Sequence, residues 1–105
     1  MTDPEKDDIV VQVLYFGLIR NVVAVAEERI GLPAGGTVRQ LFAVLTRKYG
    51  NSLRDALFTV DGTLLPNAII LLDGNNILNA NGLDTPIAPK STAHILLTMT
   101  AIGGG

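Results

Sequence analysis

Gly36-Thr37-Val38-Arg39-Gln40-Leu41-Phe42-Ala43-Val44-Leu45-Thr46-Arg47-Lys48-Tyr49-Gly50 is the most strongly patterned stretch of the chain. Thr37 followed by Gln40 matches a capping box, in which the two side chains satisfy backbone amides at the helix start. Val38, Leu41, Phe42, Leu45 and Tyr49 recur at helical spacing and form one apolar stripe. Arg47 and Lys48 fall in the last turn, where cations suit the helix dipole. Gly50 is placed to stop the helix. The spacing predicts one amphipathic helix that needs a surface to cover.

The flanking segments supply that surface. Ile9 to Phe16 is β-branched and aromatic, with Gln12 its only polar member. It reads as a strand that is covered on both faces or central in a sheet. Gly17 to Val25 reads as a connection. Ala26 to Leu32 alternates, with Glu28, Ile30 and Leu32 on one side, and predicts a second strand in a hairpin with the first. Pro33-Ala34-Gly35-Gly36 is turn chemistry. Past the helix, Ser52 to Leu57 reads as a short second helical turn with Leu53, Ala56 and Leu57 inward, and Asp61-Gly62 as a turn. Ala68 to Leu72 is a buried strand, and Asp73-Gly74-Asn75 a tight turn. A short strand is expected around Ile77-Leu78, and a final strand over Ile95 to Ala101, with Ile95, Leu97, Met99 and Ala101 on one face. This order predicts an α+β fold, a mixed sheet of four to five strands with one main helix across one face. That arrangement is the β-grasp, whose first and last strands run parallel in the middle of the sheet.

Composition narrows the chemistry. A length of 105 residues fits one domain, and 48% hydrophobic against 17% charged residues suffices for a core. Cysteine is absent, which removes disulfides, thiolate metal sites and thiol nucleophiles. The single histidine, His94, opens an apolar strand and reads as a partly exposed structural residue. No apolar run is as long as a membrane span. Residues 1–8 hold four acids and one base, unlike a signal peptide, so a cytoplasmic protein is expected. The remainder is close to neutral without a basic stripe, which argues against nucleic acid and membrane partners. Arg39, Arg47, Lys48 and Arg54 read as a solvated helix face. The expected organisation is an acidic lead-in over residues 1–8, a domain over 9–101 and a glycine tail over 102–105.

That tail, Ile102-Gly103-Gly104-Gly105, follows directly on the apolar strand. Glycine is costly to order and adds no packing. A triplet of it suits an end that enters a slot too narrow for a Cβ, with the Gly105 carboxylate acted on there. A frayed end is the alternative.

Further pieces occur in a telling order. They are Val13-Leu14-Tyr15-Phe16 with Arg20, Leu32-Pro33, Gly36-Thr37-Val38, Lys48-Tyr49-Gly50, Leu53-Arg54-Asp55-Ala56-Leu57, Pro66-Asn67, Asp73-Gly74, Gly82-Leu83-Asp84-Thr85-Pro86-Ile87 and the terminal diglycine. In this order they resemble the ubiquitin-like sulfur carriers, the small subunit of molybdopterin synthase and the thiamine-pathway carrier, and are closer to the former. Four features depart from the family pattern. Gly103 stands before the diglycine, where alanine is common, and Asp73-Gly74-Asn75-Asn76 lacks the family's charged pair. Thr98-Met99-Thr100 stands where the molybdopterin-synthase type tends to have prolines, and the acidic extension over residues 1–8 is extra.

The resemblance implies that a ubiquitin-activating-type adenylyltransferase joins the Gly105 carboxylate to AMP from ATP. Sulfur from a persulfide donor protein then displaces AMP and leaves a thiocarboxylate. An acceptor such as the molybdopterin synthase large subunit receives that sulfur. No cofactor is bound, ATP being used by the partner, and no metal is implied. The carrier's task is placement. Ile102 to Gly105 can extend ~13 Å, Gly103, Gly104 and Gly105 permit close backbone approach, and Ile102 is either an apolar plug at the slot mouth or ordinary edge packing. Docking is expected on the sheet face the helix leaves open. Tyr15, Leu96 and Met99 are candidates for its patch, with core packing the favoured alternative for each, and Arg20 and Arg54 for its polar rim or for plain solvated surface. A protein modifier linked through Gly105, a carrier for thiamine or another metabolite, and a binding-only module remain alternatives.

Overall fold

The computed structural model describes residues 8–99. The expected lead-in over residues 1–7 and the glycine tail lie outside them. Five strands form one sheet: β1 (Asp8–Gly17), β2 (Glu27–Pro33), β3 (Ala68–Leu72), β4 (Asn75–Asn76) and β5 (Thr92–Leu97). Their order is β2-β1-β5-β3-β4. β1 pairs antiparallel with β2 and parallel with β5, so the first and last strands are central neighbours, as expected. β3 closes the other side of β5, antiparallel to both β5 and β4. Asp8, assigned from sequence to the lead-in, is already the first residue of β1.

Three helices connect the strands: α1 (Arg20–Val23), α2 (Val38–Tyr49) and α3 (Asn51–Leu57). α2 starts on the expected capping box, with both reciprocal bonds between Thr37 and Gln40 present. Gly50 ends it with φ at 83°. Val38, Leu41, Phe42 and Leu45 are buried against Val11, Val13, Ile30, Ile70 and Ile95 of the sheet. Each such fully buried aliphatic side chain contributes roughly 1.5–3 kcal/mol of transfer free energy. α3 adds Leu53 and Leu57 to the same core. α1 replaces part of the plain connection expected over Gly17 to Val25. Four residues do not hold a helix by propensity, and burial of Ile19 and Val23 anchors this one. No helix among the described residues is long and apolar enough to cross a membrane.

β1 is central, one of the two arrangements expected of it, with one face covered, and two other expectations are corrected. Ile9, Val11, Val13 and Tyr15 point into the core, while Val10 and Phe16 are exposed and Leu14 is half-buried. The short strand expected around Ile77-Leu78 is instead a 3-10 turn over Ile77–Asn79, and the strand pairing is made by Asn75–Asn76. The Asn76 side chain accepts from Leu78 N at 2.9 Å, which turns the chain and buries Ile77. β5 begins at Thr92 rather than Ile95 and ends at Leu97 rather than Ala101, which lies outside the described residues. Asp73 sets that start: its N donates to Thr92 O at 2.8 Å and its Oδ1 accepts from Thr92 N at 2.9 Å.

Candidate functional site

At its C-terminal end β5 is gripped from both sides. On the β1 side, Leu18 N donates to Leu97 O at 2.8 Å. Gly17, with φ at 76°, lies so close that a Cβ there would overlap the Leu97 carbonyl oxygen. This is a position where only glycine fits without strain. On the β3 side, Thr98 N donates to Asn67 O at 3.0 Å, and Asn67 Nδ2 donates back to Thr98 O at 2.8 Å. Beyond this grip Met99 is 76% exposed. Arg20 lies on the same side of the sheet end, with Nε donating to Tyr15 O at 3.0 Å and an otherwise exposed side chain. Ile102, Gly103, Gly104 and Gly105, the centre of the sequence-based expectation, lie outside the described residues.

Among the described residues, the sheet face opposite α2 carries no helix. Register brings its outward side chains into two rows. Leu14, His94 and Leu71 form one, and Phe16, Leu96 and Ile69 the next toward the end of β5. Phe16 stacks at a tilt on His94 with ring centroids 5.5 Å apart. Leu96 is thus where the sequence suggested a docking patch, with Met99 exposed past the strand end. Val10, Leu14, Phe16, Ile69 and Leu71 were missed, because a continuous apolar run does not say which face is left open. His94 is half-buried in this face, and its Nδ1 has no hydrogen-bond partner among the described residues. The corner of the face is polar. Arg29 and Lys90 flank a hollow of about 380 Å³ floored by Val10 and Gln12.

Tyr15 does not belong to that patch. Its ring is fully buried, and its hydroxyl donates to Glu28 Oε2 at 2.6 Å. The Tyr49 hydroxyl donates to the same oxygen, and Lys48 Nζ pairs with the other. One carboxylate of β2 therefore ties β1 to the last turn of α2. Burial would raise the Glu28 carboxyl, but the bonds from Lys48, Tyr15 and Tyr49 outweigh it and hold its pKa below the ordinary value. Burial, and then the bond to Glu28, push both tyrosine hydroxyls up. The cluster braces the hairpin against the helix. Arg54, the other suggested rim residue, is exposed and pairs only with its neighbour Asp55.

No group of three or more His, Cys, Asp or Glu among the described residues is arranged to hold a metal ion. The geometry offers a clamped chain exit and an apolar sheet face that leads up to it.

No protein-family model and no curated protein matches this chain. Solved structures do. The HVO 2177 protein of Haloferax volcanii superposes with a TM-score of 0.79 at 19% identity, over 96% of this chain and 93% of that one. The small archaeal modifier protein 1 of Methanosarcina acetivorans gives 0.73 at 25% identity, over 90% and 97%. A protein assigned as subunit 1 of a molybdopterin converting factor from Pyrococcus furiosus gives 0.68 at 21% identity, over 87% and 99%. The fold is the ubiquitin-like β-grasp. Such superposition over most of both chains at low identity carries the architecture.

Proposed function

We propose that this chain is a ubiquitin-like sulfur carrier, most specifically the sulfur-donating small subunit of a molybdopterin synthase. The observation that carries the reading is the clamped end of β5. The chain leaves a held point at Thr98, and its last six residues, Thr100 to Gly105, end in three glycines. Fully extended, six residues reach ~20 Å. A narrow arm of that length, beside an apolar docking face, suits delivery of a terminal carboxylate into another protein's active site.

The chemistry belongs to partners. A ubiquitin-activating-type adenylyltransferase lets a Gly105 carboxylate oxygen attack the α-phosphorus of ATP, releasing pyrophosphate. The terminal sulfur of a persulfide donor protein attacks the acyl carbon and AMP leaves. A second thiol then breaks the sulfur–sulfur bond, so that the thiol becomes part of a disulfide and Gly105 keeps a thiocarboxylate. The acceptor, such as the molybdopterin synthase large subunit, takes that sulfur in the cytoplasm. ATP is consumed by the activating enzyme, and the carrier binds no cofactor. Its residues hold the arm (Gly17, Leu18, Asn67) and dock the partner (Phe16, Leu96, Met99, with Arg20 at the rim).

Intact-mass measurement of the protein from its own host tests this, with the C-terminal peptide resolved. Oxygen-to-sulfur exchange on Gly105 is the expected result. A carboxylate that stays unchanged after incubation with ATP, the activating enzyme and a sulfur donor overturns it. The likeness to an archaeal modifier protein favours a second reading, in which the Gly105 acyl adenylate is passed on to a lysine amine. Ladders of conjugates that vanish on deletion of Gly104-Gly105 would establish that one. Delivery to thiamine or another sulfur-containing metabolite differs only in the acceptor.

A further inference from the structure

Thr98 is the first residue past the end of β5, and one residue holds it on three sides. Asn67 O accepts from Thr98 N at 3.0 Å and from Thr98 Oγ1 at 3.3 Å, while Asn67 Nδ2 donates to Thr98 O at 2.8 Å. The backbone bond merely continues the β3–β5 ladder one step beyond Ala68 and Leu97. The side-chain bond is different, because it catches the carbonyl through which the chain turns toward Met99. Asn67 Oδ1 is buried and has no partner among the described residues. A single neutral hydrogen bond adds little net stability, and a buried acceptor left unpaired costs at least as much. The Asn67 side chain is therefore not explained by stability. Residues kept at a stability deficit are expected where function needs them.

We propose that Asn67 is a positioning residue that fixes the direction in which the chain leaves the sheet. The inference rests on the reading that Gly105 is activated by a partner. With Thr98 clamped, the arm starts from a fixed point and heading once the sheet face has docked. Freeing the Thr98 carbonyl lets that heading wander, so fewer docked complexes hold the Gly105 carboxylate in line with the reacting phosphate. Docking through Phe16 and Leu96 on the sheet face, upstream of Thr98, is untouched. Loosening therefore lowers turnover rather than affinity.

The test is ATP–pyrophosphate exchange by the activating enzyme purified from the same cells, with the full chain as wild type, Asn67→Ala and Asn67→Asp. Asn67→Asp keeps the shape and removes the donor. Expected is a fall in kcat of about fivefold in both variants, with KM for the carrier unchanged and the thermal midpoint close to wild type. As a docking control, each variant lacking Gly104-Gly105 is used as a competitor, and its inhibition constant should match that of the equally truncated wild type. An unchanged kcat, or competitors weakened in parallel with turnover, overturns the positioning role. A wild-type chain that supports no exchange at all overturns the carrier and modifier readings, and this inference with them.

Discussion

Gly17 backs onto Leu97 so closely that the Leu97 carbonyl oxygen occupies the space a side chain would need, while Leu18 N bonds to that same oxygen at 2.8 Å. Two penalties meet at any larger residue. The left-handed backbone costs roughly 1–2 kcal/mol for an L side chain, and forced overlap adds roughly 1–3 kcal/mol. Gly17→Ala should lose about 3 kcal/mol of unfolding free energy, read from the urea midpoint. A midpoint equal to wild type would mean the close approach is absent.

Stability should fall at both ends of the pH scale. The folded Glu28 carboxyl titrates below its ordinary value. Its contribution is present above the unfolded carboxyl range, near pH 4.3, and is lost as pH falls through the folded value. Tyr15 and Tyr49 titrate above theirs. Between the unfolded value near 10 and the raised folded values the unfolded chain holds fewer protons, so stability declines as pH rises there. Glu28→Gln should flatten the acid limb of denaturation midpoint against pH, and Tyr15→Phe with Tyr49→Phe the alkaline limb. Limbs that keep their slopes in these variants would place the titration elsewhere.

Phe16 separates docking from folding. It is 40% exposed, lies outside the buried core and stacks on His94. Phe16→Ser should cost about 1 kcal/mol or less in stability yet raise KM for the activating enzyme about tenfold, the scale of one lost hot-spot contact. Steady-state kinetics decide this, and a variant with wild-type KM would remove Phe16 from the docking surface.

Thr37 provides the converse. Its capping bond starts α2 on the far side of the sheet from the open face. Thr37→Ala should lose about 1 kcal/mol with turnover unchanged below the melting range. A selective drop in kcat would tie the helix start to the chemistry.

The helix was legible because its signals are local: a threonine, a glutamine three residues on, an apolar stripe and a stopping glycine. Strand order followed from the apolar runs and the turn residues between them. Apart from the local Asn76–Leu78 turn, most of the missed parts depend on partners distant in sequence. Tyr15 reads as an exposed amphipathic side chain until Glu28, Lys48 and Tyr49 surround its hydroxyl. Asn67 is, in the sequence, only the residue between Pro66 and the third strand, until Thr98 arrives from thirty-one positions away. The start of β5 at Thr92 is not marked by the apolar run, which begins only at Ile95, and the backbone and side chain of Asp73 supply the register. The open face escaped for a related reason. The outward residues of β1 and β3 are as apolar as the inward ones, so alternation carries no mark of which side α2 takes.

β5 is inserted between β1 and β3, and this has a consequence for how the molecule is made. β1 and β2 can pair as soon as both are synthesised, but β3, beyond its short pairing with Asn75–Asn76, has no neighbour to bond until Thr92–Leu97 arrives. The central ladder joins residues some eighty positions apart, the kind of long-range pairing that folds slowly. A nascent chain therefore stays open until nearly all of its domain has emerged from the ribosome. A chain truncated before Thr92 has no closed sheet to offer an activating enzyme, and its unpaired β1 and β3 edges expose it to aggregation and to proteolysis.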